Sequence, residues 1–485
     1  VPRRGSLTSL ASRAAPFAHP APLVSSWTAV SLTGMTRDHP TTADPEHEAD
    51  DLDYRDLLGT DRLAPIRLPP LSELATAARE SRLLTAANAL AAWVGDSRPV
   101  EPGTGLPPAD AEAEVIRHLT AAGHLPDDTT APWELRQLWE LAEDLNFIDI
   151  GETEASEGAG LGEWRDGDDE AVLSVWSQGF AALSAWSLAI DAEYDGEPDL
   201  VFHGAGTSVL PLFSAREDGI TLDGWNELVQ ESVELETEPE VFAAAWSAWV
   251  ERHGEPGAVF ADRLERLGAV LPGESRITLT PLGSYVLWKE ISEDVEVGLL
   301  PDPAAVTARE LVAVTVLGTD AQAEQEWHPW RAARSAHQAA RELAEVAASG
   351  TPAERATATV LLADLGPEVD DVWRELLDSP TLRPYAKQAL GADHEASPEF
   401  ALSDADMALL IADVFCDTDI EHPPPEIGEL LEETVTPDDV EVFDAMWRLD
   451  HSGGADTLRL FGRHHPDKKV AKAARTAAFK AEGRR

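Results

Sequence analysis

Apolar residues recur at helical spacing along nearly the whole chain, in short runs each cut off by a glycine, a proline or a capping signal. A chain written this way folds as many short helices whose core comes from stacking them. One run spans Leu71 to Val94, with Leu83, Leu84, Ala87, Leu90, Trp93 and Val94 on one face and Gly95 as its stop. Pro99 to Pro108 follows as a Pro/Gly linker, and Asp110 to Ala122 reads as the next helix, with Val115, Ile116 and Leu119 inward. Further on, Thr351-Pro352-Ala353-Glu354 joins an N-cap threonine, a proline at the first helical position and a glutamate at the third, the capping-box pattern. Ser403-Asp404 opens a helix through Met407, Leu410, Ile411 and Val414. Thr436-Pro437-Asp438-Asp439 opens another through Val440, Phe443 and Trp447, and Pro423-Pro424-Pro425 separates the two.

In two places the period shifts from helix to strand. Trp133 to Leu145 is amphipathic through Leu135, Leu138, Trp139 and Ala142, and Phe147-Ile148-Asp149-Ile150 alternates immediately after it. A Gly-rich acidic loop ends that strand, and a helix from Asp168 to about Ile190 follows. The second place is clearer. A helix with Val259, Phe260, Leu264 and Leu267 leads into Ala269-Val270-Leu271, the turn Pro272-Gly273-Glu274-Ser275 returns the chain to Ile277-Thr278-Leu279-Thr280, and Pro281 opens a helix with Leu282, Tyr285, Val286 and Ile291. This resembles the second half of a winged-helix domain: third helix, hairpin wing, closing helix. The phrase Leu279-Thr280-Pro281-Leu282-Gly283 also resembles uncharacterised actinobacterial proteins, a resemblance that implies no activity.

From Val306 onward the chain reads as helix after helix. Asp371-Val372-Trp373-Arg374 matches Asp456-Thr457-Leu458-Arg459, and Ala386-Lys387 matches Ala471-Lys472 at the same offset, with Pro380 and Pro466 inside the two copies. Helix pairs joined by a Pro-containing turn resemble HEAT repeats, with a plain helical bundle as the alternative. The expected fold class is therefore mostly α with small β wings: winged-helix-like units followed by a helical, HEAT-like array. The expected divisions are a disordered or non-native extension over 1–50, a helical region over 51–130, winged-helix-like units over 131–195 and 196–300, and the helical region over 301–485. Residues 1–37 carry Arg3, Arg4, Arg13 and Arg37 and no acid, whereas the chain is densely acidic from Asp38. Pro16, His19, Pro20 and Pro22 interrupt the apolar stretch that a signal needs, so an upstream extension with Met35 as natural start is expected, and a targeting segment is the alternative.

Lys+Arg number 37 against 89 Asp+Glu, a formal net charge of -52, which repels phosphate backbones and anionic membranes at long range. Cys416 is the only cysteine, which rules out an intrachain disulfide and cysteine-rich zinc patterns and fits a reducing, cytoplasmic setting. No run approaches the roughly 18 apolar residues of a spanning helix. The helices that would have to touch DNA are acidic or balanced: Arg136 stands against Glu134, Glu140, Glu143 and Asp144, and Arg263 and Arg266 against Asp262 and Glu265.

One stretch is basic. Arg463, Lys468, Lys469, Lys472, Arg475 and Lys480, with Arg484 and Arg485, face only Asp467 and Glu482. They form a candidate partner-binding surface for an acidic partner or nucleic acid; in the alternative they complement a helix dipole and the chain's own acids. The other candidates have structural readings. Adjacent residues such as His464 and His465 diverge by about 100 degrees on a helix and rarely bind one ion together, even with His451 upstream. Glu326, His328 and His337 fit an exposed helix start anchored by Trp327 and Trp330. Cys416, beside Phe415 on an apolar face, reads as an inert core thiol. His203-Gly204-Ala205-Gly206-Thr207-Ser208 is a Gly-rich turn without the lysine of a phosphate loop. Trp139, Trp176, Trp186, Trp246, Trp249 and Trp288 read as core. No catalytic residue, cofactor or metal is expected. The chain is expected to be a non-catalytic interaction or regulatory protein with a protein partner, basic partners included, and no nucleic acid or membrane. A winged-helix transcription regulator and a hydrolase or transferase with an unrecognised site are the alternatives.

Overall fold

The computed structural model describes residues 54–184, 205–216, 218–236, 239–273, 275–392 and 398–483. The chain is mostly helical with small sheets, and no described helix is long and apolar enough to cross a membrane. It divides into two compact units, one of residues 68–294 and one combining the N-terminal segment to Arg67 with everything from Val295. The latter begins with helix α1 (Tyr54–Leu58) and strand β1 (Arg62–Ile66).

In the 68–294 unit the run from Leu71 is two helices, α2 (Leu71–Arg79) and α3 (Arg82–Val94), because the Ser81 hydroxyl caps the Leu84 N–H and starts a new one. Strand β2 (Arg98–Pro99), helices α4 (Ala109–Ala121) and α5 (Ala131–Asp144) and strands β3 (Ile148–Ile150) and β4 (Glu154–Glu157) follow. Asn146, at φ 52°, ends α5 in a left-handed residue and feeds the chain straight into β3. The sheet runs β2-β4-β3, all antiparallel, with Arg98 opposite Ala155 and Ile148 opposite Glu157. Pro99, read from sequence as the start of a linker, and the acidic loop after Ile150 thus lie in strands, and the sheet extends N-terminally past the expected boundary at residue 131. Helices α6 (Gly160–Asp166) and α7 (Asp169–Ser184) close this part; the expected continuation to Ile190, with Trp186, lies outside the described residues.

A related order follows, with three helices instead of two between the first strand and the hairpin. Helix α8 (Ala205–Ser214), strand β5 (Ile220–Thr221), helices α9 (Leu222–Glu236), α10 (Pro239–His253) and α11 (Pro256–Leu267), and strands β6 (Val270–Pro272) and β7 (Arg276–Leu279) build a second antiparallel sheet in the order β5-β7-β6. Gly268, at φ 93°, ends α11 as Asn146 ends α5. Gly257 lets α11 approach α9, since a Cβ there would meet the Asn226 carboxamide at 2.2 Å. Helix α12 (Pro281–Ile291) starts at Thr280, whose hydroxyl accepts from the Gly283 N–H. Trp139, Trp176 and Trp249 are buried, and Trp246 and Trp288 half-buried.

In the other unit β8 (Glu296–Leu299) pairs in parallel with β1, Arg62 opposite Glu296, so residues 62–66 belong with the C-terminal part of the chain rather than with a 51–130 region. Helices α13 (Ala308–Leu317), α14 (Asp320–Ala332), α15 (Ala336–Ser349), α16 (Pro352–Ala363), α17 (Asp370–Leu376) and α18 (Arg383–Ala392) surround one apolar core. The capping box at Thr351 and Glu354 is formed, as is one at Ser403 and Asp406. Helix α19 (Asp404–Phe415) gives Leu410 to that core and Ala408, Ile411 and Phe415 to a second one, shared with α20 (Ile427–Thr434), α21 (Val442–Met446), α22 (Gly454–His464) and α23 (Lys468–Glu482). The helix expected from Thr436 starts only at Val442, because the Thr436 hydroxyl and Asp439 form a turn of their own. The two copies of the internal repeat fall on α17/α18 and α22/α23.

Candidate functional site

The basic stretch forms the hairpin of α22 and α23, and its geometry decides which cations are available. The connecting turn is fixed by His465. Its buried Nδ1 accepts the Asp467 N–H at 3.0 Å, so Nε2 carries the proton and donates to the Val435 carbonyl at 3.0 Å. Asp467 then caps α23 by accepting the Lys469 and Val470 N–H groups, and these backbone bonds hold its carboxyl below the usual range. His464 turns the other way, 2.7 Å from the Ile420 carbonyl. The helices cross closely at Gly462, where a Cβ would meet Arg475 Cγ at 2.8 Å.

Three of the six candidate cations are held by segments outside the hairpin. Arg463 pairs with Glu421, Lys469 donates to the Pro437 carbonyl, and Lys480 lies 3.2 Å from Asp444 and above the Trp447 ring. Hydrogen bonds from Trp447, then Arg448 and Lys480, depress the Asp444 carboxyl. The other three come together. Lys468, Lys472 and Arg475 lie four and three residues apart, all exposed, and make one ridge along α23. None has an ion-pair partner among the described residues; Arg475 donates only to the Gly462 carbonyl. Phe479, four residues on, continues the ridge and is 78% exposed. Beside it, a groove of about 1070 Å³ separates α22 and α23 from the 416–421 segment, with Ile420, Ala478 and Phe479 as its apolar lining and Arg459 held by Asp456 and Glu482. Sequence reading found the cations but not Phe479 or the groove, although the four-residue step from Arg475 to Phe479 was the available signal.

A second polar cluster lies between the two cores of this unit. Asp413 on α19 accepts from Arg355 Nε at 2.8 Å and Nη2 at 3.0 Å, from the Tyr385 hydroxyl at 2.7 Å and from His451 Nε2 at 2.7 Å. His451 Nδ1 accepts the Gly453 N–H at 3.1 Å, which assigns the proton to Nε2. Burial pushes the Asp413 carboxyl up, but the bonds from His451, Arg355 and Tyr385 outweigh it and the group stays below the ordinary value. An aspartate–histidine pair resembles half of a catalytic triad, yet the carboxylate is fully buried and both imidazole nitrogens are engaged, leaving none to activate a nucleophile. Cys416 caps the end of α19 half-buried on the groove wall rather than in the core, its Sγ bonded to the Asp413 carbonyl and its thiol pushed well up by burial.

The remaining candidates stay apart. Glu326 is buried and held by both terminal nitrogens of Arg67 at 2.5 and 2.8 Å, so its helix is not an exposed start. His337 faces Asp371. Among the described residues no group of three His, Cys, Asp or Glu is placed to hold a metal ion. His203 and Gly204 lie outside the described residues, and Ala205 onward is helix rather than turn.

In the 68–294 unit the two helices that lead into the hairpins, α5 and α11, are tied together. Glu134 of α5 receives Arg263 Nη1 and Nη2 of α11 at 2.6 Å each and Arg266 Nη1 at 2.8 Å. Arg263 is 3% exposed and stacks over Trp133 at 4.9 Å. Burial raises Glu134, and the two guanidinium groups bring it below the usual value. Trp176 of α7 adds a bond to the Leu267 carbonyl at the end of α11, at 3.0 Å.

No family model matches this chain, and no curated protein or solved structure matches it.

Proposed function

We propose that this chain is a non-catalytic interaction or regulatory protein, in which winged-helix-like units and a HEAT-like helical array present surfaces to other proteins. The observation that carries the reading is the clasp of Glu134 on Arg263 and Arg266. A winged helix that reads DNA leaves its third helix free to enter the major groove and lines it with cations. Here the cations of α11 turn inward onto a carboxylate, and α5 and α11 expose Glu143, Asp144 and Asp262 instead. The winged-helix assignment is supported by the first-third-second strand order of both sheets, and the HEAT-like one by the pairing of α15 with α16, α17 with α18 and α22 with α23. A net charge of -52 favours a partner with a positive surface and speeds its encounter.

Affinity capture of the native protein from its host, washed at low and high salt, tests the proposal. A reproducible basic protein partner that is lost at high salt is expected, and a clean chain without a partner overturns it. A salt-sensitive shift of duplex DNA by the purified protein would instead favour the transcription regulator.

A further inference from the structure

We propose that the outer ridge of α23 and its adjoining groove dock an acidic peptide segment of a partner protein. In this complex, carboxylates at helical spacing meet Lys468, Lys472 and Arg475 and an apolar side chain packs against Phe479. This goes beyond the reading above, since it places a site for negative charge on a chain whose surface otherwise selects positive charge.

Charge complementarity carries the argument. Of the acids lining the groove, Glu421 pairs with Arg463 and Asp456 and Glu482 share Arg459, while Asp417 and Asp419 have no Lys or Arg partner among the described residues, so the groove is a place for the apolar side chain and not for the carboxylates. The ridge is the place for those: its three cations face solvent and have no carboxylate partner among the described residues, a local excess of positive charge. A single exposed phenylalanine is ordinary on a protein surface. Phe479 differs in standing at the end of that ridge and on the lip of a groove floored by Ile420 and Ala478, where an apolar side chain can leave water. The two features lie on one helical line, so an amphipathic or extended segment meets both at once.

Nucleic acid fits less well. Three cations neutralise about three phosphates, a small counterion gain against the repulsion of the whole chain, and a phosphate backbone has no apolar side chain to set against Phe479. An acidic peptide carries fewer charges and brings an apolar anchor. At physiological salt the Debye length is about 8 Å, so the distant acids of this chain are screened while contacts on the ridge are not.

The test is fluorescence anisotropy of the full chain with a labelled peptide carrying glutamates three and four residues apart beside one leucine. The same peptide with glutamine for glutamate and a duplex DNA serve as competing probes. The acidic peptide is expected to bind, the glutamine peptide to bind about tenfold more weakly, and Lys472→Glu, Arg475→Glu and Phe479→Ala each to lower affinity by about tenfold. Lys289→Glu, an equal charge change on α12 in the other unit, should leave binding unchanged; circular dichroism of every variant checks that it folds. Absence of peptide binding, an equal loss in Lys289→Glu, or tighter binding of the DNA overturns the proposal. None of these outcomes bears on whether a basic partner is captured, so the two proposals fail separately.

Discussion

Asp413 stands where four segments meet, and its four donors come from α16, α18 and the turn before α22, up to 58 residues away in sequence. Removing the carboxylate leaves Arg355 half-buried and the Tyr385 hydroxyl buried without an acceptor. Breaking a buried pair from one side costs about 3–5 kcal/mol, because the remaining charge keeps its desolvation penalty and loses its partner. Asp413→Ala should therefore lower unfolding stability by that amount in urea denaturation, and a loss below about 1 kcal/mol would show that the site relaxes around water. Glu140 makes the opposite case. Burial, with Asp144 and Glu143 nearby, pushes its carboxyl up to about 7. A carboxyl with a raised folded pKa binds protons more readily when folded, so it favours the folded state as pH falls and opposes it as pH rises through 7. Glu140→Gln should stabilise the protein at about pH 8 by about 1 kcal/mol, a figure reduced for solvent screening of a partly exposed group, and the gain should vanish near pH 4. A gain that is independent of pH would exclude the charge as its cause.

At the scale of elements, the two wings differ in how far sequence reveals them. In β6 and β7 the buried Val270 and Ile277 alternate with more exposed neighbours, and Pro281 marks the next helix, so the hairpin is legible from the residues. In β4, Glu154-Ala155-Ser156-Glu157 has one buried residue, Ala155, and no β-branched side chain; its strand conformation comes from pairing on both edges, with β2 and β3. Local caps were equally legible, because Thr351 and Glu354 act three residues apart. The clasp was not. Arg263 and Glu134 are 129 residues apart, and in the sequence Asp262 and Glu265, adjacent and two positions away, are far nearer acids for Arg263. The same holds at the candidate site, where the cations can be counted but only the fold separates Lys468, Lys472 and Arg475 from the three held by segments outside the hairpin. The clasp also makes a prediction for its helices. Glu134→Ala leaves Arg263 buried without its carboxylate and should cost about 3–5 kcal/mol, most of it recovered when Arg263→Met is added. If the double variant is no more stable than the single one, the clasp does not join α5 to α11 as the distances imply.

For the whole molecule the opposing terms can be ranked. The exposed ion pairs, such as Arg79 with Asp169 and Arg374 with Asp370, contribute about 0–1 kcal/mol each and weaken with salt. The buried ones, Arg355 with Asp413 and Arg263 with Glu134, are screened far less. Against them stands the mutual repulsion of 89 acids, offset by only 37 Lys+Arg, which acts in the compact state and relaxes when the chain expands. Salt reduces that repulsion along with the surface pairs, and the excess of acids makes the repulsion the larger of the two. The melting temperature should therefore rise as sodium chloride is added at low ionic strength and level off once the Debye length falls to a few ångströms, near 1 M. Sodium and potassium chloride should act alike, since the effect is one of screening rather than of a specific ion. A melting temperature that falls over this range would mean that ion pairs outweigh repulsion, and that the acidic surface is organised into networks rather than left open to a partner.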